Sequence, residues 1–99
     1  MLLVSVVAMS TQVFAQDVGG DIAAGRRIAE QWCSACHKVD AASTGGLAPS
    51  FPEVANLAST TALSLKVFLR TSHTKMPNVQ LTQVQIDTVV AYILSLKSK

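Results

Sequence analysis

The sequence predicts an all-α fold, and three observations carry that prediction. Apolar residues recur at intervals of three and four, most fully in Ile86, Val89, Val90, Ile93 and Leu94. Residues suited to capping a helix (Asp21, Thr60 or Thr61, Thr82) stand before such runs. No stretch keeps the period-two alternation of a strand for more than a few residues. The 99 residues are 49% apolar and 14% charged, with five Gly and three Pro. That composition describes one small domain and excludes a disordered tail, a collagen-like chain or a multidomain enzyme. Eight Lys/Arg against six Asp/Glu leave a net charge of +2. So small an excess excludes binding to nucleic acid through its phosphates.

The elements follow in order. Residues 1–15 are uncharged, carry the apolar run Leu2, Leu3, Val4, Val6, Val7, Ala8, and finish Val13-Phe14-Ala15, with small residues where a signal peptidase reads. They read as a secretory signal peptide with a truncated positive n-region, and are too short to span a bilayer. The domain proper is then residues 16–99, a size at which a core alone stabilises only marginally. Asp21 caps a helix running to about Trp32, with Ile22, Gly25, Ile28, Ala29 and Trp32 on one face. Residues 38–52 read as loop, because Gly45-Gly46, Pro49 and Pro52 interrupt any helix. Pro52 suits the first turn of a short helix through about Leu57. Thr60 or Thr61 caps a third helix through about Arg70, with Leu63, Leu65, Val67, Phe68 and Leu69 available for burial. A second loop, residues 71–81, holds His73, Met76 and Pro77. Thr82 opens the last helix: Gln85 completes a capping box, and Leu81 faces Ile86 as a hydrophobic staple. Its apolar stripe continues to Lys97, widened by Tyr92 and Leu96.

The chemistry lies in Cys33-Ser34-Ala35-Cys36-His37. The spacing C-x-x-C-H is that of c-type haem attachment. Two thiols three positions apart can add to the two vinyl groups of one haem, and the next residue's imidazole is then held beneath the iron. Three rival readings exist. A disulfide between Cys33 and Cys36 closes too small a loop to constrain the unfolded chain. A zinc site lacks ligands, since only His73 remains to join the adjacent pair. A thiol-disulfide oxidoreductase would use Trp32-Cys33 as its tryptophan-preceded nucleophile, but needs a strand leading into the motif. Low-spin electron transfer requires a second axial ligand. Met76 is the only methionine of residues 16–99 and stands at a Met-Pro step in a loop, where the fixed φ of Pro77 suits the presentation of one side chain. His/Met ligation raises the potential. His73 reads as a surface or supporting residue, and is the alternative ligand if Met76 is not one.

With these pieces in place, the chain from Gly25 to about Leu96 resembles the small soluble class I c-type cytochromes, in their short bacterial periplasmic form. The resemblance rests on Gly25 in the first helix, Cys33-Ser34-Ala35-Cys36-His37, Ala48-Pro49-Ser50-Phe51, Met76-Pro77 and Val90-Ala91-Tyr92-Ile93. It implies three to four helices wrapped around one haem c, attached through Cys33 and Cys36 and ligated by His37 and Met76. It further implies that the first and last helices cross closely, with Gly25 near Tyr92, and that the Pro49 carbonyl receives the N–H of the His37 imidazole. Ala-Pro-Ser-Phe stands where the family more commonly has Gly-Pro-x-Leu.

The function implied is that of a periplasmic electron carrier rather than an enzyme, a monomer without a membrane span in its mature chain. Its partners would be redox proteins: a dehydrogenase, an oxidase or a cytochrome complex. Lys38, Lys66, Arg70 and Lys75 lie near the haem motif or the methionine loop, and could steer an acidic partner. A haem enzyme or gas sensor is the other functional class, and would need an open or labile iron position. Trp32, Phe51, Leu57, Leu65, Phe68, Leu69, Leu81, Ile86, Val90 and Ile93 are the expected core or haem-pocket lining.

Overall fold

A computed structural model describes residues 2–5 and 21–98. Most of the leader read in residues 1–15 lies outside the described residues, as does the domain's start at Gln16. The described chain folds into four helices: α1 (Ile22–Trp32), α2 (Phe51–Asn56), α3 (Ala62–Arg70) and α4 (Gln83–Ser95). Among the described residues there is no strand.

Each helix begins where a short polar side chain satisfies the free N–H groups of its first turn. Asp21 accepts from Ala23 N at 2.8 Å. Ser50, Thr61 and Thr82 each complete a capping box with the residue three positions on. The expected bounds of α1 and α4 therefore hold to within a residue or two. α2 is capped by Ser50, and Pro52 stands in its first turn as expected, at the second helical position. Of the two candidates before α3, Thr61 is the cap, while Thr60 Oγ1 donates instead to the Val54 carbonyl and ties the connection back to α2.

The architecture is organised around α4. Each of the other three helices packs on it, and none of the three packs on another. This explains why α4 is buried over more of its circumference than a single stripe requires: Ile86, Val89, Val90 and Ile93 face one way, Thr88 and Tyr92 another. Lys97 falls beyond the helix and is exposed. The α1–α4 contact is the closest. α1 presents Gly25 and Ala29, one turn apart and both buried, and a Cβ at position 25 would overlap the Thr88 carbonyl oxygen and lie 2.9 Å from Tyr92 Cβ. Only glycine permits that approach.

The core comprises Ala29, Val39, Phe51, Ala55, Leu65, Ile86, Val89, Val90, Tyr92 and Ile93. Leu69 and Leu81 pack against it as half-buried neighbours. Three expected lining residues are only partly covered by protein: Trp32, Leu57 and Phe68 are 53%, 54% and 42% exposed. Leu63 and Val67 are exposed as well. The cause is topological. α3 meets only α4, so Leu65 and Leu69 on one edge turn inward while Leu63, Val67 and Phe68 have no helix opposite them. No helix among the described residues is long and apolar enough to cross a membrane.

Replacing Gly25 with Ala forces α1 away from α4 and should cost about 3 kcal/mol or more, at the upper end of overpacking penalties. Chemical denaturation of the purified protein reads this directly. A variant within 0.5 kcal/mol of wild type, a margin typical of surface substitutions, would show that the crossing does not constrain the fold.

Candidate haem-binding site

α1 ends on the motif. Cys33 is its C-cap, donating its N–H to Ala29 O, and the chain then turns tightly, with the N–H groups of Cys36 and His37 both directed to Cys33 O. Both thiols are free; Cys33 is half-buried and Cys36 exposed.

The residues after the motif are zipped to those before α2. Ala48 N donates to Cys36 O at 3.2 Å, and Phe51 N to Lys38 O at 2.9 Å. Between these two bonds His37 Nδ1 lies 2.6 Å from Pro49 O. A carbonyl oxygen can only accept, so Nδ1 carries the proton and Nε2 is the nitrogen left to offer a lone pair. Beside it Ser50 N is taken by the Glu53 carboxylate at 2.9 Å, and Pro49 has no N–H to satisfy. The same backbone bond to Ser50 is the main reason that the Glu53 carboxyl is held below the usual carboxylate range. The intervening loop turns through Gly45 (φ 67°) and Gly46 (φ 132°), conformations that other residues rarely adopt.

The His37 ring is backed by packing as well as by its hydrogen bond. Its centroid lies 5.4 Å from that of Phe51, and Phe51 in turn lies 6.5 Å from Tyr92. The Tyr92 hydroxyl donates to the Val39 carbonyl, closing a circuit from α4 to the residues following His37. Sequence reasoning missed this circuit. Tyr92 stood out as a widening of the apolar stripe and as the expected neighbour of Gly25, but a hydroxyl reaching a carbonyl 53 positions away leaves no local signature. Ser50 was also missed as a cap, although the pattern Ser50-x-x-Glu53 was there to signal it.

The remaining candidates lie on the α3–α4 connection. Met76 is half-buried in a shallow open cleft formed by residues 72–78. The hydrogen bonds that gather Cys33, Cys36, His37 and Pro49 do not extend to it. His73 is bound to the end of α3, with Nε2 2.9 Å from Phe68 O and its ring stacked on Phe68.

The donor set bears on the rival chemistries. A thioredoxin-like nucleophile depends on a helix N-terminus to stabilise its thiolate. Here Cys33 caps the C-terminal, electronegative end of α1, and burial pushes its thiol up. Among the described residues no three His, Cys, Asp or Glu side chains form a metal-binding group, so a protein-only zinc site is not assembled. An imidazole whose Nδ1 is committed to a carbonyl, two thiols beside it and partly exposed apolar side chains on α1 and α3 do fit a covalently held haem.

A family model described as cytochrome c oxidase, cbb3-type, subunit III matches residues 20–93. No curated protein and no solved structure matches the chain.

The Tyr92 hydroxyl bond gives two linked expectations. Tyr92→Phe strands the Val39 carbonyl in the core and should cost about 1–2 kcal/mol. Burial raises the Tyr92 phenol above its ordinary value; the folded state therefore holds its proton longer than the unfolded state. Stability from this group is full below about pH 10 and falls as pH rises beyond it. Urea midpoints measured across the alkaline range should show a shallower decline for Tyr92→Phe, and parallel curves would contradict the role given to the hydroxyl.

Proposed function

Because the chain belongs to the family of the cytochrome c oxidase cbb3-type subunit III domain, and so is a small c-type cytochrome with the all-α fold, haem binding and electron transfer of that class, we propose that it carries one electron at a time through a single haem c. Cys33 and Cys36 would hold the haem, and His37 and Met76 would ligate its iron. The haem supplies the one-electron iron couple. The chain's own residues set its surroundings: Pro49 O fixes the tautomer and orientation of His37 and makes its Nε2 a better donor. Met76, beside Pro77, offers a soft thioether that favours ferrous over ferric iron. The observation that carries the reading is the 2.6 Å contact of His37 Nδ1 with Pro49 O, one residue from a free Cys36.

The signal peptide read in residues 1–15 supports a periplasmic site of action for residues 16–99, where disulfide-competent secretion and haem attachment meet. The family's oxidase subunit makes an oxidase complex the first partner to test; a dehydrogenase or another cytochrome complex follows. Electrostatic steering has less to work with than the charge count suggested. Lys66 is paired with Asp87 at 3.5 Å, whereas Lys38, whose Nζ donates to the uncharged Thr44 O at 3.3 Å, keeps its full charge alongside Arg70 and Lys75.

The full chain, expressed with a haem-attachment system, should give sharp low-spin reduced bands, haem that resists acid-acetone extraction, and no spectral response to carbon monoxide. Cys33→Ser with Cys36→Ser should release the haem to extraction. Met76→Ala should open the ferrous iron to carbon monoxide. A wild-type protein that binds carbon monoxide readily would point to a haem enzyme or sensor, and a secreted protein without haem would overturn the cytochrome reading.

A further inference from the structure

The connection that carries Met76 leaves α3 at Thr71 and enters α4 only at Gln83, with no regular element between. At its far end Leu81 packs against the core, and at its near end the loop is tied to α3 through the side chain of His73. The His73 ring stacks on Phe68, with centroids 3.6 Å and planes 14° apart. Its Nε2 lies 2.9 Å from Phe68 O and 3.1 Å from Thr71 Oγ1. Phe68 O only accepts, so Nε2 carries the proton and donates it there. The Thr71 hydroxyl lies 3.1 Å from both Val67 O and Phe68 O. These carbonyls belong to the last turn of α3, and Phe68 O also receives the Thr71 N–H at 3.2 Å. Farther along, Asn78 Nδ2 donates to Ser72 Oγ at 3.1 Å and closes the stretch on itself with Met76 inside. α3 is in turn fixed to α4 through buried Leu65 and the Lys66–Asp87 pair.

We infer that His73 is a positioning residue for Met76: it fastens the loop to the C-terminal end of α3 and thereby holds the thioether where the iron can take it. The inference rests on the Met76 ligation proposed above. A loop held in one arrangement before ligation loses less conformational freedom on binding the metal than a free one, so the Met76–iron bond gains in competition with external ligands. The same geometry commits Nε2 of His73 to α3 and stacks its ring on Phe68.

The test uses the haem-loaded full chain in its oxidised state. Two quantities are read: the far-red absorption that arises from methionine sulfur on ferric iron, and the affinity for added imidazole, which must displace that sulfur. His73→Ala should weaken the far-red band and raise the imidazole affinity about tenfold, the equivalent of one lost hydrogen bond. His73→Gln keeps an N–H donor and should recover most of the wild-type behaviour. His73→Phe keeps the stacked ring without the donor and should not. Wild-type band and imidazole affinity in His73→Ala, even with a lowered melting temperature, would overturn the inference while leaving Met76 ligation standing. A wild-type protein without the sulfur band would remove both. Should His73→Ala fail to fold, the other two variants decide, and equal imidazole affinity for His73→Gln and His73→Phe would overturn the inference.

Discussion

The approach of α1 to α4 at Gly25 is the contact from which the site is built. With hydrogen in place of a side chain, the backbone of α1 comes against the Thr88 carbonyl and Tyr92 Cβ, and the direction in which α1 ends is settled. That end is Cys33. From the other side of the same crossing Tyr92 reaches Phe51 with its ring and Val39 with its hydroxyl. The residues before and after His37 are therefore governed from two directions, by α1 through the chain and by α4 through Tyr92. His37 is held between them, its Nδ1 committed to Pro49.

A scaffold in which one helix carries three others is economical for so short a chain, but incomplete. α1, α2 and α3 each bury one edge on α4 and none buries an edge on another. Apolar side chains are left uncovered as a result, Trp32 at the end of α1 and Phe68 on α3 among them. The surface ion pairs add little, since Arg26–Glu30 and Arg26–Asp40 lie in solvent. An apolar macrocycle tethered at Cys33 and Cys36 would supply the buried surface that protein side chains do not, and would then be part of the fold as well as the site of electron transfer.

Much of this was legible in the sequence, for reasons that differ by residue. Asp21 and the Thr82–Gln85 box mark helix starts because capping is decided within one turn of chain. The pair of cysteines followed by histidine is legible because the cofactor imposes its own spacing. The hidden features are those that depend on the whole fold. Which face of α3 turns inward follows from its having a single neighbour, so Leu65 is buried while Leu63 and Val67 are not. The bonds from Tyr92 to Val39 and from His73 to Phe68 join residues that no local pattern associates. Val39, read as part of a loop, is core because that loop is drawn under α4.

The claim that the haem completes the fold is tested most directly by far-ultraviolet circular dichroism, recorded on heating the same chain with haem attached and without it. The loaded protein should show four-helix ellipticity lost in one sharp transition, and the haem-free chain weak helicity that declines gradually. A haem-free chain with full helicity and a cooperative melt would mean that α4 and its three neighbours are sufficient by themselves, and would contradict the account.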